Sequence, residues 1–133
     1  MTALRPRHLQ PGDMLRIDTP AGPRRVQVTH IPAPYPPVVR ALRGTSDETA
    51  FVVMADVRPG DARVTHLGAA PIPKNAQAFP TFRLAVRDRT GAPVYWWHWD
   101  GDGLRLAPEG ADTALPLREV TPFETLVTAL AET

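Results

Sequence analysis

His98, Asp100 and Asp102 stand at alternate positions in His98-Trp99-Asp100-Gly101-Asp102. An imidazole and two carboxylates on one short loop form a ligand set that a divalent cation can use. The same loop holds the Asp-Gly pair of a tight hairpin, which by itself accounts for Asp100 and Gly101. It also lacks the downstream glutamate of a calcium-binding loop. His98, Asp100 and Asp102 therefore stand as metal candidates only, and no metal or other cofactor is expected. His8, His30 and His66 have no ligand spacing, and His30 shares a strand face with Val26 and Val28, which suits a core or rim residue.

Trp96 lies two residues before His98, so in a strand the two share a face. Arg83 and Arg87 fall on the preceding strand and Arg105 on the following one. An outward indole among guanidinium groups is the chemistry of a base-stacking platform: a flat ring for a nucleobase and cations for phosphates. It is equally the chemistry of a protein-interface anchor, where Trp and Arg are favoured. A cation–π pair with Arg83 or Arg105 would make the same residues structural, as would cover from segment 31–37 or the C-terminal helix. The candidate binding residues are thus Trp96, Arg83, Arg87, His98 and Arg105.

Covalent and phosphate chemistry find few residues. The chain has no cysteine, one serine (Ser46) and one lysine (Lys74) among its 133 residues. Ser46 sits in Gly44-Thr45-Ser46-Asp47, without the second glycine of a nucleophile elbow. Lys74 precedes Asn75, whereas a phosphate-binding loop needs Ser or Thr there. Asp56, Asp61, Asp88 and Glu119 stand at the ends of predicted elements, where carboxylates normally cap or solvate. A small carboxylate- or metal-dependent enzyme is the least favoured reading.

These residues need elements to hold them. A hydrophobic fraction of 43% and a charged fraction of 22% are ordinary globular values. The length fits a single domain over 1–133, with a β segment over 9–67, a loop over 68–80, a meander over 81–107 and a helix over 121–131. Net charge is +1, but residues 1–43 carry +5 and residues 44–133 carry −4. Such asymmetry suits an anionic partner, or two halves whose fields cancel. No apolar run approaches a membrane span, and the first ten residues lack the apolar region of a secretory signal. With no cysteine either, a cytoplasmic location and no membrane partner are expected.

Leu15 and Ile17 alternate with polar neighbours, as do Val26 and Val28, and the breaker cluster 19–23 between them predicts a hairpin. Val38–Leu42 is expected as an edge strand. Ala50–Val57 is expected as a buried strand, with Ala62–Leu67 pairing back on it through Pro59-Gly60-Asp61. In the second half, two-residue turns at Thr90-Gly91 and Asp100-Gly101 would set Phe82 against Trp99, Leu84 against Trp97 and Val86 against Tyr95, then Trp97 against Leu104 and Tyr95 against Leu106. That face is apolar and is expected to be core. Thr121-Pro122-Phe123-Glu124 has the form of a capping box, with Phe123, Leu126, Val127 and Leu130 on one helical face.

The Pro11-Gly12-Asp13 turn followed by strand, turn and strand is similar to the start of SH3-like barrels over about twenty residues; no residue roles are carried over. The expected architecture is mainly β: a small partly open barrel, SH3-like or otherwise, or a bent antiparallel sheet, with a C-terminal α-helix. The expected function is a non-enzymatic binding module with a protein partner, which includes a second copy of the chain. The alternative is a single-stranded nucleic-acid binder using the Trp/Arg face.

Overall fold

The computed structural model describes residues 8–32, 35–101, 103–107, 115–116 and 120–133, with the backbone alone at 85, 86 and 93–95. In these residues the chain forms β1 (Asp13–Thr19), β2 (Gly22–His30), β3 (Val38–Leu42), β4 (Thr49–Ala55), β5 (Val64–Ala69), β6 (Phe82–Arg87), β7 (Pro93–Trp99), β8 (Leu104–Leu106), β9 (Val120–Thr121) and α1 (Phe123–Ala131). The protein is mainly β, as the alternation of its apolar residues requires. It divides into two compact units, 1–77 with 120–133, and 78–119.

The first unit is a six-stranded bent sheet in the order β5-β1-β2-β3-β4-β9, not closed into a barrel. Its pairs are antiparallel except β4 with β9, which runs parallel. The predicted hairpin is present: Leu15 pairs with Val26 and Ile17 with Arg24. Helix α1 lays Phe123, Leu126, Val127 and Leu130 on a core that includes Leu15, Ile17, Val26 and Val28. Full burial of each such aliphatic side chain stabilises by about 1.5–3 kcal/mol. From β2, Arg24 donates from Nε to the Leu130 carbonyl (3.0 Å), placing a cation at the negative end of the helix.

Three expectations for this unit are corrected. Strand β3 is interior, between β2 and β4, and all five of its residues are buried. Arg40 is buried there with its guanidinium hydrogen-bonded through Nε and Nη1. Its Nε donates to Gln27 Oε1 (2.8 Å), and its Nη1 to the Asp47 carbonyl (2.8 Å) and Thr49 Oγ1 (3.1 Å). Burial lowers the Arg40 pKa, against the pull of Asp47. Gln27, abreast of Arg40 in the ladder, is fully buried and donates from Nε2 to the Ala70 carbonyl (2.9 Å).

Secondly, β5 pairs with β1, not with β4. Thirdly, there is no capping box. Thr121 belongs to β9, Pro122 is the N-cap residue, and no side chain caps the helix. The Glu124 carboxylate is instead held by Arg63 through paired bonds of 3.0 and 2.6 Å.

The second unit is a three-stranded antiparallel meander, β6-β7-β8. Phe82 pairs with Trp99, Leu84 with Trp97 and Val86 with Tyr95, as the alternation predicts. The following loop is longer than two residues: Trp97 pairs with Leu106 and Trp99 with Leu104, leaving Asp100–Gly103 as the connection. The register moves by two, so each residue keeps its face. Phe79 packs on Phe82 and Trp99, with ring centroids 5.9 and 5.3 Å apart. Gly101 (φ 93°) lets the chain turn against Phe79, whose ring a Cβ at that position would meet at 3.1 Å. Leu104 and Leu106, expected in the core, are 49% and 58% exposed. They lie on the short edge strand, and the aromatic cluster gathers around Phe79 instead.

Candidate functional site

The ladder of the second unit decides which candidate residues meet. Arg83 pairs with His98 and His98 with Arg105, so the three stand abreast on one rung. Trp96 lies two residues along β7 on the same face. The Arg83 guanidinium crosses to cover the Trp96 ring, 4.6 Å from its centroid. Arg83 is steered there by donating from Nε to the Leu115 carbonyl (2.9 Å). The cation–π pair anticipated for this residue is therefore the one with Arg83.

The remaining cations are partly committed. Arg105 donates to Asp100 Oδ2 (2.9 Å), and Asp100 Oδ1 accepts from the Gly103 amide (3.1 Å). Arg87 lies beyond a register shift and donates to the Gly91 carbonyl of its own turn (2.8 Å). Among the described residues, neither the Trp96 indole N–H nor a ring nitrogen of His98 has a hydrogen-bond partner. The face thus offers an indole donor, an imidazole and the outer nitrogens of Arg83. All of these suit a carboxylate or a phosphate.

The metal candidates fall only partly within the described residues. Asp100 serves Arg105 and the loop, and Asp102 lies outside the described residues. Among the described residues no three His, Asp or Glu side chains cluster as metal ligands would.

Three of the four candidate carboxylates, Asp56, Asp61 and Asp88, are engaged locally. Asp56 pairs with Arg58 (3.3 Å). Asp88 accepts from the Thr90 hydroxyl (2.6 Å) and amide (2.8 Å), which lowers its pKa. Glu119 lies outside the described residues. Asp61 takes Arg63 Nε and Nη2, both at 3.0 Å, and these bonds pull its carboxyl down to about 2. Arg63 joins Asp61 to Glu124 while its guanidinium lies 4.8 Å from the Phe123 ring centroid. Beside this pair is an open groove of about 490 Å³ lined by Asp18, Thr19, Pro20, Val127 and Thr128, among others. Its one close acid–base contact is spent in the ion pair.

Sequence reading missed a histidine–carboxylate pair in the first unit. His66 Nδ1 accepts the Gly68 amide (3.2 Å), so Nε2 carries the proton and faces buried Asp13 (3.2 Å). The other Asp13 oxygen accepts the Gln10 amide (2.9 Å). Such a pair orients a general base when the far nitrogen is open; here the Gly68 amide fills it. The β1–β5 pairing brings the two residues together, and no local motif announces it. His30 also has both nitrogens engaged, by Thr29 Oγ1 and the Gln77 carbonyl, each at 2.9 Å.

No family model matches the chain, and no curated protein or solved structure matches it either. The residues alone must carry the functional reading. No helix among the described residues is long and apolar enough to cross a membrane.

Proposed function

We propose that this protein is a non-enzymatic binding module that engages a protein partner through its three-stranded sheet. One observation carries the reading: Leu104 and Leu106, on one face of edge strand β8, are 49% and 58% exposed. Adjacent apolar side chains on a sheet edge have a cost in solubility that a contact surface explains. Photo-crosslinking tests it. A benzophenone amino acid at position 106 should capture a protein in the source cells. The same group at the exposed Thr45 turn should not. Equal or absent capture at both positions overturns the reading.

A second reading, single-stranded nucleic acid on the opposite face, is favoured by the open donors of Trp96 and His98. Arg83 already covers one side of the indole, so a base has the other side at most. Acrylamide quenching of Trp96, assigned with Trp96→Phe, should fall on adding mixed-sequence single-stranded RNA if that reading holds. On the favoured reading it does not change.

A further inference from the structure

We propose that β8 accepts an extended segment of a partner protein in which acidic and apolar residues alternate. This rests on the binding-module reading and specifies its partner.

The direction of the β8 backbone follows from one hydrogen bond. The Ala107 amide donates to the Trp96 carbonyl (2.9 Å), which makes that pair a hydrogen-bonded rung. Rungs alternate in an antiparallel ladder, so Arg105 turns its N–H and C=O toward β7. Leu104 and Leu106 turn theirs away from the sheet. Among the described residues no strand lies beyond β8. The two exposed leucines therefore also carry the backbone groups to which another strand would bond.

An added strand projects its side chains alternately to the two faces, in step with β8. On one face they meet Leu104, Leu106 and Trp97. On the other they meet Arg105, with His98 and Arg83 behind it on the same rung. Asp100 is the acid paired with Arg105, and Arg83 has no acidic partner among the described residues. The carboxylate of an added strand meets Arg105 and shares it with Asp100, and an apolar residue covers the leucines. Alternation of the two kinds satisfies both faces at once.

A second copy of this chain fits less well. The symmetric antiparallel register that bonds Leu104 to Leu106 sets the two Arg105 side chains abreast, and like charges in that position repel.

The test uses the full chain and two short fluorescent peptides, one alternating valine with glutamate and one alternating valine with lysine. The glutamate peptide should bind saturably and the lysine peptide at least about tenfold more weakly. Hydrogen exchange should slow at the Leu104 and Leu106 amides when the glutamate peptide is present. Leu106→Pro removes an outward donor and leaves the Arg105 bonds to β7 in place, so it should abolish binding. The exchange measurement decides the matter should that variant fail to fold.

No saturable binding, or equal binding of both peptides, overturns the proposal. Self-association that Leu106→Pro abolishes, without peptide binding, names a second copy as the occupant. It overturns the proposal and leaves the binding-module reading standing. Single-stranded RNA that shields Trp96, with no change at the Leu104 and Leu106 amides, overturns both.

Discussion

The Arg83 guanidinium lies over the Trp96 indole at 4.6 Å, held there by a bond to the Leu115 carbonyl. The contact joins β6 to β7 across the rung that carries His98. A half-exposed cation–π pair contributes about 0.5–1 kcal/mol. Arg83→Ala should cost about that much stability and should raise acrylamide quenching of Trp96. Quenching unchanged from the parent would show that Arg83 does not cover the ring in solution.

Gln27 and Arg40 form a buried polar rung in the first unit, and the two substitutions there should differ. Arg40→Met removes the charge and leaves the Gln27 oxygen without its donor, at a cost of about 1–3 kcal/mol. Gln27→Leu takes a partner from the buried guanidinium and the donor from the Ala70 carbonyl, and each loss costs about 1–3 kcal/mol. Urea unfolding should therefore rank Gln27→Leu as the more damaging. The reverse order would mean that Arg40 reaches water in the variant.

Acid should weaken the helix anchor. The bonds to Arg63 hold the Asp61 carboxyl down at about 2 and lower that of Glu124. Both groups bind protons more readily when unfolded, so their stabilisation is complete above the ordinary carboxyl range, about pH 4. It is lost as pH falls through the folded-state values. Stability followed from pH 5 to pH 2 should drop in the parent, and Arg63→Met should flatten that slope.

Two kinds of leucine should separate cleanly. Leu126→Ala opens the core under α1 and should cost about 2–5 kcal/mol. Leu104→Thr and Leu106→Thr should stay within about 0.5 kcal/mol of the parent, as exposed substitutions do. A large loss at 104 or 106 would mean that these side chains are structural, and it would remove the main support for a contact surface.

Much of the meander was legible in the sequence. Period-two alternation set the β6–β7 pairing from Phe82–Trp99 to Val86–Tyr95, beyond which the register shifts at Arg87, and parity protected the faces when the second loop proved longer. The common face of Arg83, Trp96, His98 and Arg105 followed from the same rule. Their partners did not, because the Leu115 carbonyl and the Asp100 carboxylate reach them through loop geometry. In the first unit the hairpin and the apolar face of α1 were legible for the same local reasons. The burial of Arg40 depends on Gln27, Asp47 and Thr49, and that of Gln27 on Ala70. A charged residue in a strand reads as exposed until such partners are known. The β1–β5 pairing and the parallel β9 are likewise choices made between distant segments. The capping motif was present in sequence, but a bidentate arginine outcompeted the helix for Glu124.

The order of the two units along the chain bears on biosynthesis. Residues 78–119 are translated between the strands that carry Leu15, Ile17, Val26 and Val28 and the helix that covers them. A nascent chain therefore passes through a long stage with this apolar surface bare. Contacts of such sequence separation form late and leave intermediates prone to aggregate. Any message truncated before the codons for α1 would yield a sticky polypeptide, a natural client for chaperones and proteases.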